Sequence, residues 1–200
     1  MTDLRNTAVA LPSQGAPFAI RAERASDVAQ REALLDACFG ETRHMRTCQR
    51  LRDGRTPAEG LSLSAVRKGR LVGTVRLWHV SAGGVPALIL GPLAVEQSCR
   101  KLGVGAALMA RALAAAMERG HRAVILLGDA PYYARFGFST AKTVALMLPG
   151  SFERERLLGL EFEVGALDGA WGMIVPTGAS APKARGVRAR KSARLVPHAA

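Results

Sequence analysis

LGPLAVEQSCRKLGVG (residues 90–105) decides how the rest of the chain is read. An apolar run over 88–95 has the length of a buried strand. A polar turn follows over 96–101, and Gly103 and Gly105 then open an apolar helix over roughly 104–119. A strand that turns through glycines into a helix is a phosphate site in outline. The first amides of a helix have no partner within it, and the aligned peptide dipoles favour an anion at that end. Glycine lets the anion approach the backbone, and Arg100 and Lys101 add two cations beside it.

Working outward, the helix is apolar nearly all round, with Arg111 and Glu118 on one narrow polar stripe, so it should lie buried against a sheet. Gly120 stops it, and AVILL (123–127) reads as a buried strand of the parallel type. Residues 87–127 are therefore expected to form a right-handed βαβ unit. Upstream, 61–66 and 71–80 make a hairpin around Lys68-Gly69-Arg70, and 18–22 is a short strand. Ser26-Asp27 caps a helix over 28–39 that ends at Gly40, and a strongly basic helix is expected over 42–52, stopped by Asp53-Gly54. Gly91-Pro92 interrupts the key strand. Proline removes a ladder donor, which predicts a bulge or a local opening of the sheet there. A short helix over 131–135 and strands over 144–148, 157–164 and 171–175 complete the chain, with no internal repeat.

Length and composition bound the function. Two hundred residues suit one domain with a real core, and 48% hydrophobic with 22% charged residues fits a soluble globular protein. No apolar run approaches the roughly 18 residues of a membrane span. The first residues lack the long apolar region of a secretory signal. Three cysteines, Cys38, Cys48 and Cys99, without CxxC spacing argue against disulfides and against a metal site, so no metal and a cytoplasmic location are expected. Cys99 has no paired histidine and is not expected to be a nucleophile.

Of the net charge of +12, six basic residues and no acid fall within 177–200. The expected organisation is a disordered lead over 1–16, a folded domain over 17–176 and a basic disordered tail over 177–200. The tail's composition resembles extensions that contact nucleic-acid phosphates without sequence preference, although it carries no aromatic residue for base stacking. A non-catalytic or nucleic-acid-associated binding protein is thus the alternative function.

Two common phosphate loops do not fit. Gly103-Val104-Gly105-Ala106-Ala107-Leu108 lacks the third glycine of a dinucleotide fingerprint, and no acid ends strand 123–127 to hold a ribose. There is no Gly-Lys-Ser/Thr for a Walker A loop. Arg100-Lys101-Leu102-Gly103-Val104-Gly105, preceded by Leu93-Ala94-Val95, and Tyr133-Ala134-Arg135-Phe136-Gly137-Phe138 after the next strand match another pattern. In their order and spacing these two motifs resemble the acetyl-CoA signature and the Tyr-x-x-x-Gly-Phe hallmark of the GNAT superfamily of N-acetyltransferases. The resemblance covers roughly 18–138 and is strongest to small bacterial members of unassigned substrate.

The resemblance implies an α/β (α+β) fold: a mixed, mostly antiparallel sheet flanked by helices, with a parallel pair splayed at the CoA site. It implies acetyl-CoA as co-substrate and direct transfer to an amine of a small molecule or protein. Arg100, Lys101 and the amides of Leu102, Gly103, Val104, Gly105 and Ala106 would hold the pyrophosphate. The backbone of Leu93 and Val95 would pair with the pantetheine arm as an added strand. Tyr133, with a reference pKa near ~10, would protonate the departing thiolate, and Tyr132 is read as structural. A lysine-type amine is only about a thousandth neutral at pH 7, so a base must act. Many members carry a glutamate on the strand before the signature. Here 87–95 holds no acid, which leaves Glu96, Asp129 or water. Gly128-Asp129 stands where an asparagine is often found. The arginines at 43, 46, 50, 52 and 55 either line the acceptor site or form a solvated face. The partners expected are an amine acceptor and no membrane, with a homodimer and nucleic acid at the tail left open.

Overall fold

The computed structural model describes residues 17–182, so the lead over 1–16 and the tail beyond 182 lie outside the described residues. Strand β1 (Ala19–Ala22) is followed by a 3-10 turn and helix α1 (Val28–Phe39). Strands β2 (Ser62–Arg67) and β3 (Arg70–Ala82) form the expected hairpin, and β4 (Val85–Val95) returns antiparallel along β3. A 3-10 turn (Gln97–Leu102) leads into α2 (Val104–Glu118), then β5 (Ala123–Leu127) and the short α3 (Ala130–Ala134). Strands β6 (Leu146–Met147), β7 (Leu157–Glu161) and β8 (Gly172–Pro176) close the described chain.

The sheet runs β1-β2-β3-β4-β5-β7 and is antiparallel throughout except for β4 and β5. This is the mixed, mostly antiparallel sheet with a parallel β4–β5 pair that the sequence implied, and off this path β6 and β8 also pair in parallel. β3 is long enough to serve two partners on one edge. It pairs with β2 through Arg76 and with β8 from Val80 onward, and β8 also pairs with β6.

Alternation along the strands divides the core. Leu77, Leu88, Leu90, Val124 and Leu126 join Val104, Leu108 and Met109 of α2. Trp78, Ile89 and Ile125 point the other way, onto Leu51, Leu146 and Leu148. Farther along, Leu34 and Leu35 of α1 pack on Leu71 and Ala94.

Three expectations need correction. The basic segment 42–52 is not one helix but two 3-10 turns, Glu41–Met45 and Thr47–Leu51, because Arg46 between them is extended (φ −66, ψ 144). The break turns Leu51, 1% exposed, into the core. Asp27 does not cap α1 with its side chain. Its carboxylate turns back to the Arg24 amide (2.9 Å) and to Arg21. Third, 177–181 is held by hydrogen bonds, although composition placed it with the tail. The Thr177 amide donates to His79, the Thr56 amide to Ala179 and the Ala181 amide to Gly54.

Candidate active site

The site begins where β4 and β5 part. They pair only at Leu88 with Val124 and at Ile89 with Ile125. β4 then runs on to Val95 and β5 to Leu127 without a partner between them. The cause is visible on the other side of β4. Val75 faces Leu93 and Leu77 faces Leu90, so Gly91 and Pro92 together oppose the single residue Arg76. The Trp78 indole N–H holds the Gly91 carbonyl at 2.7 Å, fixing the bulge. The interruption expected at Gly91-Pro92 is thus a bulge that opens the sheet.

Two adjoining clefts fill the opening. The larger, about 920 Å³, is lined by Leu90 to Leu93, by Leu126 to Asp129, by Tyr132 and Tyr133, and by two loops. The smaller, about 360 Å³, runs from Leu93 and Val95 to Gly103, Gly105 and Ala106. Phe39, Leu93, Arg100 and Tyr132 border both.

At the inner end of the smaller cleft, Gly103 (φ 76) turns the chain into α2. The first bond back to its carbonyl comes from the Ala107 amide at 3.0 Å, so the amides of Val104, Gly105 and Ala106 precede the helical ladder. Gly105 is tightly enclosed. A Cβ there would stand 3.1 Å from the Tyr132 Oη and 3.5 Å from Val95 Cγ2. Any side chain here would have to displace the Tyr132 hydroxyl by a few tenths of an ångström, whereas glycine leaves the backbone open. Arg100 and Arg135 add cations to this cleft, with Arg135 stacked over the Tyr132 ring at 4.8 Å.

Tyr133 lines the larger cleft and packs edge-on against Tyr132 (4.9 Å) and Phe138 (5.9 Å). Burial, with smaller contributions from Tyr132 and Asp129, pushes its phenol up to about 12. The phenol is therefore a weaker acid than its reference value suggests. The proton stays on Tyr133 over the whole neutral range.

Of the residues singled out from sequence, Leu93, Val95, Arg100, Gly103, Gly105, Ala106 and Tyr133 come together around the two clefts. Lys101 is exposed outside them. Leu102 and Val104 turn their side chains into the core and offer only backbone. Of the two carboxylates considered as base, Asp129 borders the larger cleft, whereas Glu96 faces Arg70 at 3.6 Å and lines neither. Cys99 is buried, 1% exposed. Among the described residues no three His, Cys, Asp or Glu side chains gather as a metal group.

Sequence reasoning took Tyr132 as structural, left the arginines at 43–55 open between the acceptor site and a solvated face, and missed Arg135 and the 149–156 side of the outer wall. Tyr132 and Arg135 sit inside the Tyr-Tyr-x-Arg-Phe-Gly-Phe run, so helical spacing on α3 was a usable signal. The wall joins 46–52 to 149–156, where Thr47 Oγ1 donates to the Ser151 carbonyl (2.6 Å) and Arg50 to the Pro149 carbonyl (2.7 Å). Segments this far apart in sequence carry no local signal.

A parallel pair that opens onto free amides at a helix start is the arrangement the two motifs implied. Residues 28–138, more than half of the chain, match the Acetyltransferase (GNAT) family. The chain belongs to that family. The uncharacterized N-acetyltransferase YhbS of Escherichia coli K12 is 32% identical over 124 residues, 61% of this chain and 74% of YhbS. The crystal structure of E. coli YhbS in complex with CoA superposes with a TM-score of 0.68 at 28% identity, covering 83% of this chain and 93% of that one. A GNAT acetyltransferase from Brucella melitensis in complex with acetyl-CoA gives 0.57 at 26% identity, covering 84% and 97%. The GNAT fold thus reaches beyond the matched segment into the later strands.

Proposed function

We propose that this GNAT acetyltransferase binds acetyl-CoA along the β4–β5 opening and moves the acetyl group directly to an amine. The observation that carries this reading is the continuity of the two clefts, from the amides of Val104, Gly105 and Ala106 to Tyr133. The fit is supported by Gly105, whose missing Cβ keeps the cradle open, and by the CoA and acetyl-CoA complexes of the two related structures.

Bound there, acetyl-CoA supplies an activated thioester. The helix-start amides, with Arg100 and Arg135, hold the pyrophosphate. The free edge of β4 at Leu93 and Val95 pairs with the pantetheine arm like an added strand. Tyr133, protonated across the neutral range, holds its proton for the departing sulfur. Asp129, at the end of β5 and exposed, receives the proton of the attacking amine, directly or through water. β4 itself contributes no acid.

The reading is tested by following free-thiol release from acetyl-CoA with a panel of amines. Amine-dependent release supports it. Binding of acetyl-CoA with no release to any amine class would leave a binding protein on this fold.

A further inference from the structure

We propose that the acceptor is a small amine that also carries an oxyanion, a carboxylate or a phosphate, and that Arg52 receives this anion. The inference rests on the acetyltransferase reading and adds the class of the acceptor.

The larger cleft is lined by five arginines, at 43, 46, 52, 100 and 156, against two carboxylates, Asp129 and Glu153. These cations are not equivalent. Arg43 is neutralised by Glu32 and Asp36 (2.7 Å to the latter), and Arg156 faces Glu153 at 3.9 Å. Arg100 also borders the smaller cleft and belongs to the pyrophosphate end. Arg46 lies over the Phe39 ring at 5.1 Å. Arg52 differs from all of these. Among the described residues no carboxylate lies within ion-pair distance of it, and only its Nε is engaged, donating to the Cys48 carbonyl at 3.0 Å.

Its position is fixed from behind. Leu51 is anchored in the core beside Trp78 and Ile89, and the Arg52 amide donates to the Gln49 carbonyl at 2.8 Å. Half-buried, Arg52 sets its Nη1 3.9 Å from where a Cβ would stand on Gly91, the residue at which β4 opens. Nη1 thus borders the opening. Burial draws the guanidinium below its ordinary value. A half-buried guanidinium with no carboxylate in ion-pair contact gains most from an anion that accepts both free nitrogens, and carboxylate and phosphate match its fork. The same charge repels polycationic acceptors. It also disfavours the ammonium form of an amine held nearby, which lightens the work of the base.

The test compares matched acceptors that differ only in the anion: phosphoethanolamine with ethanolamine, and β-alanine with propylamine. For the unaltered protein kcat/KM should favour the anionic member by roughly 10-fold or more, and the preferred pair tells phosphate from carboxylate. Arg52→Gln should bring the ratio close to one while acetyl-CoA still binds, and Arg52→Lys should restore part of it. Equal use of both members, preference for the neutral member, or a ratio unchanged in Arg52→Gln overturns the proposal. Should none of the four be acetylated, calorimetric titration of inorganic phosphate, with and without CoA, decides. Binding that survives CoA saturation and is lost in Arg52→Gln supports the anion site, and its absence overturns it. Failure of acetyl-CoA itself to bind shows separately, in the CoA titration, and counts against the acetyltransferase reading instead.

Discussion

The Tyr133 ring lies over Gly128 so closely that a Cβ on the glycine would stand 2.2 Å from Cε2 and 2.9 Å from Cδ2. Gly128 directly follows β5 and α3 begins two residues later, so the missing side chain lets the tyrosine fold back against the strand end. Gly128 is therefore itself a determinant of where Tyr133 sits. Gly128→Ala should push the ring away from the cleft. Overpacking of this kind costs about 1–3 kcal/mol. The expected result is a lower melting temperature together with a fall in kcat larger than the stability change explains. Normal kcat in Gly128→Ala would show that the ring position does not matter.

Tyr133→Phe removes the proton and keeps the packing. Turnover should fall by about 10²-fold or more, with acetyl-CoA affinity nearly unchanged. Because burial holds the phenol near 12, the pH profile of kcat should show no tyrosine limb below about pH 10. The folded protein keeps this proton at pH values where the unfolded chain, with a reference pKa near ~10, has lost it. Stability should therefore decline as pH rises from about 10 toward 12, and Tyr133→Phe should flatten that decline.

Asp129 can be tested cleanly. Its backbone carbonyl accepts from the Tyr132 and Tyr133 amides, and its side chain makes no cap, so Asp129→Asn leaves α3 intact. If the carboxylate takes the amine proton, kcat/KM at pH 7 should drop by about 10²-fold and recover in part as pH rises and the free amine becomes more abundant. An unchanged rate would transfer the role to water.

Asp27 governs acid stability. Its buried carboxylate receives two hydrogen bonds from Arg21 (2.6 and 2.8 Å) and others from the Arg24 amide (2.9 Å) and Ser64 Oγ (3.1 Å). The Arg21 guanidinium, followed by the amide and hydroxyl donors, holds it well below the usual carboxylate range against the cost of burial. A lowered folded value means that the stabilisation is complete above the unfolded value near ~3.9 and is lost as pH falls below it. Asp27→Asn should cost about 1–3 kcal/mol at pH 7 and make the acid limb of the stability curve shallower. Equal pH dependence in the two proteins would remove Asp27 from the account.

The gathering of Leu93, Gly103, Gly105 and Tyr133 around the β4–β5 opening was legible because its parts are local. They fall within about forty residues of one strand–helix–strand unit, where spacing fixes who meets whom. Helix 28–39 was legible for the same reason, since Gly40 ends its apolar pattern. The outer wall was not. Arg46 breaks the basic segment by taking an extended conformation, and the gain that pays for it is the burial of Leu51 against Trp78 and Leu146. That contact joins parts of the chain nearly a hundred residues apart and leaves no periodic trace. The pairing of β8 with the far end of β3 and the docking of Thr177 on His79 were hidden in the same way.

The central claim, that the cradle at Gly105 is the acetyl-CoA site of this chain, is tested most directly by calorimetric titration of acetyl-CoA into the protein and into Gly105→Val. The side chain in the variant would meet Tyr132 Oη and Val95 and cover the helix-start amides. One-to-one binding to the unaltered protein, lost in a Gly105→Val protein whose circular dichroism is unchanged, is the predicted result. No binding at millimolar acetyl-CoA, or equal affinity in the two proteins, would contradict the account.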